Sequence, residues 1–243
     1  MREQSKYCSS LITHKRSRKV KIFAFFIIFI LLIIFITKFT ISLPPFTLQE
    51  IQIEGLERLS RDEVLKWINL PTHISIFKLN LKEIAKRIES KSSVKKVSIQ
   101  RILPSTVYIL VKERTPYAYL LKQGGIWEVD EEGVILNKVK ERGNLPLIKG
   151  PLCLDKSKLG KALKAIKLTK RVGLNPIEVR VEKGEEGIVI YLKEKVKIYL
   201  GRADHLEYLY YVPDVLLDAQ KRKEKIEKID LRFKGQLVVT PER

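Results

Sequence analysis

Cysteine and histidine are scarce in this chain of 243 residues, and its acids are outnumbered by its bases. There are two cysteines, Cys8 and Cys153, and three histidines, His14, His73 and His205. Two thiols exclude a disulfide-stapled scaffold, and three scattered imidazoles give no zinc-ligand spacing. No serine sits in a G-x-S-x-G or S-x-x-K pattern, so no activated nucleophile is recognisable. Gly124-Gly125 reads as a turn without the glycine pattern and lysine of a phosphate loop. Asp130-Glu131-Glu132-Gly133 lacks calcium-loop spacing. No catalytic residue, metal ligand or cofactor is therefore assigned. A pair of carboxylates in a lytic enzyme would escape this search, because sequence does not show which acids meet.

The acids number 28 against 47 lysines and arginines, a net charge of +19. Such an excess points to nucleic acid or to an anionic membrane surface. The hydrophobic fraction of 45% excludes disorder of the whole chain.

The first forty residues choose between the two partners. Residues 1–21 carry seven basic side chains (Arg2, Lys6, Lys15, Arg16, Arg18, Lys19 and Lys21) against Glu3 alone, for a net +6. They run into Ile22–Thr37, which has no charge and is mostly Ile, Phe and Leu. Sixteen helical residues span about 24 Å, short of the ~30 Å hydrocarbon core. Lys21 and Lys38 can snorkel, and Phe39, Ile41 and Leu43 can complete the span. Thr37-Lys38-Phe39-Thr40-Ile41 offers no A-x-A cleavage pattern, and Phe23–Ile36 has no polar stripe for a soluble core helix. The expectation is a basic cytoplasmic tail over 1–21 and an uncleaved anchor over 22–43. With the positive tail inside, the remainder is exported. The exported 200 residues hold 39 basic and 27 acidic side chains, and Cys8 and Cys153 lie on opposite sides of the membrane. Nucleic acid is disfavoured as a partner, since much of the basic excess belongs to topology.

Residues 44–115 form the first exported module. Pro44-Pro45 stops the anchor helix. Leu48, Ile51 and Ile53 alternate with polar residues as a strand ended by Gly55. Ser60-Arg61-Asp62-Glu63 is a capping box before Val64, Leu65, Trp67 and Ile68, a helix face read as core, and Pro71 ends that helix. Asn80-Leu81-Lys82-Glu83 repeats the start signal, with Leu81, Ile84, Ala85 and Ile88 at helical spacing. Val97 and Ile99, then Val107, Ile109 and Val111, mark two strands turning at Pro104-Ser105. The order β-α-α-β-β resembles a POTRA module, a docking unit without catalytic residues.

Residues 116–243 read as a β-rich module. Ser157 is the expected cap of a helix burying Leu159, Leu163 and Ile166. Ile177, Val179 and Val181 begin three antiparallel strands continued by Ile188–Leu192 and Val196–Leu200. Asp204 is the expected cap of a helix with Leu206, Leu209 and Tyr210, which Pro213 should kink or break. The run Lys221–Lys225 reads as a solvated helix end, followed by closing strands Ile229–Phe233 and Leu237–Thr240. The fold class is α+β: one N-terminal transmembrane helix, the β-α-α-β-β module, then a β-rich module with an antiparallel sheet and flanking helices.

Four stretches in this order carry a family resemblance: Glu113-Arg114-Thr115-Pro116-Tyr117-Ala118, Val129-Asp130-Glu131-Glu132-Gly133, Leu145-Pro146-Leu147-Ile148-Lys149-Gly150 and Ile229-Asp230-Leu231-Arg232-Phe233. Together with the anchor and the first module, the chain resembles the FtsQ/DivIB cell-division proteins over roughly residues 15–240. The resemblance implies a non-enzymatic divisome scaffold in the inner (cytoplasmic) membrane at the septum, its bulk periplasmic. It implies that the first module recruits upstream division proteins and that the second binds FtsB/FtsL-type partners by accepting a strand. Mapped by motif, the partner surface is Arg232, Phe233, Gly235, Leu237 and Val239, and the interdomain junction is Glu113, Arg114 and Pro116. The other readings are a membrane-anchored periplasmic enzyme acting on cell-wall polymer and a POTRA-containing assembly or secretion factor. The latter would need a transmembrane barrel longer than residues 116–243 supply.

Overall fold

The computed structural model describes residues 21–36, 46–70, 74–202 and 205–242. The basic tail to Val20, Cys8, His14, the rest of the expected anchor through Leu43, Pro44-Pro45, Pro71, His73 and Asp204 lie outside the described residues. Two units emerge, one reaching Glu89 and adding Lys96–Lys112, the other made of Ser90–Lys95 and the chain from Glu113 onward.

In the first unit, residues 21–36 form helix α1, with its large apolar side chains from Ile22 to Ile36 exposed. Among the described residues no helix is long and apolar enough to cross a membrane. Strands β1 (Glu50–Glu54), β2 (Val94–Ile102) and β3 (Thr106–Glu113) make a sheet ordered β1-β3-β2. The pairing of β1 with β3 is parallel, Ile51 opposite Val107 and Ile53 opposite Ile109. Helices α2 (Arg61–Ile68) and α3 (Leu81–Glu89) bury Val64, Ile68, Ile84 and Ile88. Both start signals act as read. Ser60 Oγ accepts from Glu63 N–H at 3.2 Å while the Glu63 carboxylate accepts from Ser60 N–H at 2.9 Å. Asn80 Oδ1 accepts from Glu83 N–H at 3.3 Å. Trp67 is only half-buried, because Val64 and Ile68 centre the inward stripe and Trp67 falls at its margin.

Among the described residues, the second unit is one nine-stranded sheet with two α-helices. Its strands are β4 (Ala118–Lys122), β5 (Gly125–Val129), β6 (Ile135–Val139), β7 (Leu147–Lys149), β8 (Pro176–Val181), β9 (Ile188–Leu192), β10 (Lys197–Gly201), β11 (Ile226–Asp230) and β12 (Val238–Pro241). Helix α4 (Lys156–Arg171) joins β7 to β8, and α5 (Val212–Lys221) lies between β10 and β11. The order is β12-β11-β10-β9-β8-β7-β4-β5-β6. The sheet is mixed, which corrects the antiparallel expectation: β4/β7, β7/β8 and β10/β11 pair parallel. Helices return the chain to the same end of the sheet in the last two cases, whereas tight turns reverse it at β8/β9/β10.

One sheet face is packed and the other solvated. Leu159, Ala162, Leu163, Ala165 and Ile166 of α4 join Val179, Val181, Ile190 and Ile198 in a continuous core. On the opposite face, Lys149 and Arg180 pair with Glu178 at 2.8 and 2.7 Å. There Arg180 covers the Tyr191 ring at 4.7 Å and Lys228 covers Tyr199 at 4.6 Å. The cap of α4 is Asp155, not Ser157: the chain is extended at Asp155, whose carboxylate accepts from Lys158 N–H at 2.9 Å. Leu206–Tyr211 is a 3-10 turn, and Pro213 lies in the first turn of α5 rather than breaking a helix. A first-turn proline loses no helical hydrogen bond and has the right φ.

Candidate functional site

The last strand, β12, forms one end of the large sheet and, among the described residues, pairs only with β11. All four of its residues are exposed, with Val238 at 43% and Val239 at 39%. Its register sets Val238 opposite Asp230, Val239 opposite Ile229 and Thr240 opposite Lys228. One residue past it, Glu242 N–H donates to Lys225 O at 2.8 Å. Backbone groups alternate direction along a strand, so Thr240 and Val238 face β11 while Val239 and Pro241 face outward. The outward row therefore offers the N–H and C=O of Val239 and the C=O of Pro241. A proline there removes no ladder bond, which is where edge strands tolerate it.

Four of the five motif-mapped surface residues precede β12. The closing strands are shifted from the sequence expectation: β11 begins at Ile226 and ends at Asp230, before Arg232 and Phe233. The reason is local. Asp230 draws Arg232 back on itself, accepting from its Nε at 2.8 Å, its terminal guanidinium N–H at 2.6 Å and its backbone N–H at 3.2 Å. A tight turn follows, closed by Gln236 N–H to Phe233 O at 3.3 Å, with Gly235 in the left-handed region at φ +73°. Phe233 is 50% exposed. Gly235 N–H donates to Tyr208 Oη at 2.8 Å. Leu237 is half-buried against the core.

These residues do not converge on one pocket. Arg232 and Phe233 line an open cleft of about 370 Å³ with Glu185, Arg202 and His205. Gly235 and Leu237 line a second with Tyr208 and Tyr211, and Val239 faces a third beside Val215 and Ala219 of α5. They are strung along an edge, a geometry suited to an extended segment. Tyr208 and Tyr211 were missed by sequence reasoning; Tyr208 is separated from Gly235 by 27 positions, and no local pattern links them. His205 stacks on Tyr208 with ring centroids 5.2 Å apart. Cys153 is buried, and burial pushes its thiol pKa up.

Of the residues read as the junction, Arg114 makes the defined side-chain contacts. Glu113 ends β3, and Pro116 is half-buried just before β4. The Arg114 guanidinium donates to Asp130 and, at 2.6 Å, to Glu132. Asp130 Oδ1 at the same time accepts from the N–H groups of Glu132 (3.0 Å) and Val134 (2.8 Å), and Gly133 turns the chain at φ +86°. Two of the four motifs are thus halves of one lock on the β5–β6 hairpin. Lys95 lies 2.8 Å from Glu132, and the Lys95 and Arg114 cations hold that carboxyl at about 2. Among the described residues no cluster of three His, Cys, Asp or Glu could hold a metal ion.

Residues 46–114 match the family model of the POTRA domain, FtsQ-type, and residues 118–232 that of the cell division protein FtsQ/DivIB, C-terminal. The chain is similar to the cell division protein FtsQ of Rickettsia bellii (strain RML369-C), with 30% identity over 200 residues, 80% of this chain and 72% of the relative. It is also similar to the cell division protein DivIB of Clostridium botulinum (strain Hall), with 26% identity over 241 residues, 93% of each chain. Matches to both modules in order, and a relative at this identity over most of its length, show that the chain belongs to the FtsQ/DivIB family of bacterial cell-division proteins.

Proposed function

We propose that this protein is a non-enzymatic scaffold of the division machinery, which links division proteins at the septum by binding them. Residues 1–21 are its cytoplasmic tail, 22–43 its single-pass anchor in the cytoplasmic membrane, 44–115 the POTRA module and 116–243 the partner-binding module. The POTRA module receives upstream division proteins. The second module binds FtsB/FtsL-type partners by strand addition on β12, flanked by Arg232, Phe233, Gly235 and Leu237, with Val239 supplying the outward hydrogen bonds. Glu113, Arg114 and Pro116 form the junction. The observation that carries this reading is the exposed terminal strand with an outward backbone row, since main-chain bonds along a free edge are what an added strand requires.

The experiment is co-expression of the full chain with an FtsB-type protein. Wild type co-purifies with it and Val239→Pro does not; equal recovery of both would overturn strand addition. Alkaline carbonate washing tests the anchor, since the chain stays with the membranes and release would overturn that part. Cleavage of peptidoglycan by the purified chain would overturn the non-enzymatic reading.

A further inference from the structure

Three segments distant in sequence meet at one end of the first unit. The entering chain does so through a bridge between Thr47 and Ser75 and a bond from Leu48 N–H to Ile74 O at 2.9 Å. The Phe46 and Phe77 rings lie 5.6 Å apart. Arg101 donates from Nε to Ile76 O at 2.8 Å and from its terminal guanidinium N–H to Leu79 O at 2.6 Å, pinning the β2–β3 hairpin to the 3-10 turn Ile76–Lys78. Ser105 O accepts from Gln49 N–H at 2.9 Å. The start of the module, the 3-10 turn and the hairpin tip are thereby held side by side.

This end is apolar on its outside. Ile76 and Leu79 fill the core, but Phe77 is 41%, Ile102 46% and Leu103 58% exposed. The charged side chains within residues 46–49, 74–82 and 100–106 are Lys78, Lys82 and Arg101, all exposed; the nearest acids, Glu50 and Glu83, begin at the flanks. The same end carries Phe46, the first described residue after α1, and α1 ends ten residues earlier. Ten extended residues reach at most about 35 Å, so the end bearing Phe46 is tethered near whatever holds α1.

We propose that this end of the module is a membrane-docking surface. Phe77, Ile102 and Leu103 enter the boundary between headgroups and acyl chains, and Lys78, Lys82 and Arg101 face anionic headgroups. The proposal rests on α1 belonging to a membrane anchor. Exposed aromatic and aliphatic side chains edged by basic ones favour the bilayer interface. The tether makes docking intramolecular, so a contact too weak to recruit a free domain suffices.

The test uses the full chain, with Cys8→Ser, reconstituted into vesicles of phosphatidylethanolamine and phosphatidylglycerol doped with doxyl-labelled lipid. An environment-sensitive fluorophore is placed at Leu103→Cys or, at the start of α2, at Asp62→Cys; Cys153 is buried at 3% exposure. The label at 103 is expected to shift to the blue and be quenched, and the label at 62 to be neither. Equal quenching at the two positions overturns the proposal. In the chain labelled at 103, Phe77→Ser with Ile102→Ser should lower the quenching, and an unchanged signal overturns the proposal too. Lys78→Glu should weaken docking at least about fivefold on these vesicles, and little on uncharged phosphatidylcholine; equal loss on both overturns the role of anionic headgroups. Carbonate extraction of the same sample separates the two readings. A chain that stays with the vesicles while its 103 label is unquenched retains the anchor and sinks the docking surface alone.

Discussion

Asp230 holds Arg232 through three hydrogen bonds, two to the guanidinium and one to the backbone, with the aspartate side chain only 4% exposed. A residue mapped as partner-facing is thus first a support for the chain between β11 and β12. Arg232→Ala should cost about 1–3 kcal/mol in urea unfolding, because a nearly buried carboxylate loses its main donors. Arg232→Lys should recover part of this, since one ammonium cannot reproduce the fork. Equal stability of Arg232→Ala and wild type would remove the supporting role.

The same aspartate predicts an acid response. Burial works to raise its pKa, but the Arg232 bonds and the Lys228 charge together win and leave it lowered. A lowered folded-state pKa adds stability above the unfolded value of about 3.9, which is lost as pH falls through the folded value. Glu132 behaves likewise, titrating at about 2 because of Lys95 and then Arg114. Carboxyl NMR titration should find the Glu132 midpoint well below that of an ordinary glutamate. In Arg114→Ala it should move upward, and an unmoved midpoint would contradict the hairpin lock.

Gly187 and Gly201 define a crossing that excludes any side chain. A Cβ on Gly187 would lie 1.8 Å from Gly201 O, and its φ is +56°. Gly187→Ala should therefore destabilise by about 2–4 kcal/mol. Gly235 has φ +73° but open space around it, so Gly235→Ala should cost only about 1 kcal/mol. Urea midpoints of the two variants check the difference.

Proline at adjacent positions of β12 should separate folding from binding. Val238 faces β11, so Val238→Pro breaks a ladder bond and lowers stability by about 1–3 kcal/mol. Val239 faces outward, so Val239→Pro should change stability by less than about 1 kcal/mol yet abolish recovery of an FtsB-type partner. Identical stability of the two would show that the alternation assigned to β12 is wrong.

The elements themselves were legible where chemistry is local. The capping box at Ser60 and the side-chain cap at Asn80, the alternation of Val107, Ile109 and Val111, and the turns among β8, β9 and β10 depend on neighbours a few residues away. The candidate site was legible only in outline. Its motif marked Arg232, Phe233 and Gly235, but the strand they precede starts later, and Tyr208 joins them from outside any motif.

By itself, the sequence determined the β-α-α-β-β order of the first module, the three-strand run of β8, β9 and β10 in the second, and the uncharged run after a basic tail, because hydrophobic period, caps and charge are properties of adjacent residues. Tertiary structure alone decided that β1 pairs parallel with β3, that the large sheet is mixed, and that Arg114 closes the Asp130 hairpin. Strand direction follows from where a crossover helix returns the chain, and the ion pair across sixteen positions follows from the β4–β5 hairpin, whose pairing of Ala118 with Val129 brings Asp130 back beside Arg114. Neither is encoded in any short window, so only the packed sheet could show which backbone groups β12 turns outward.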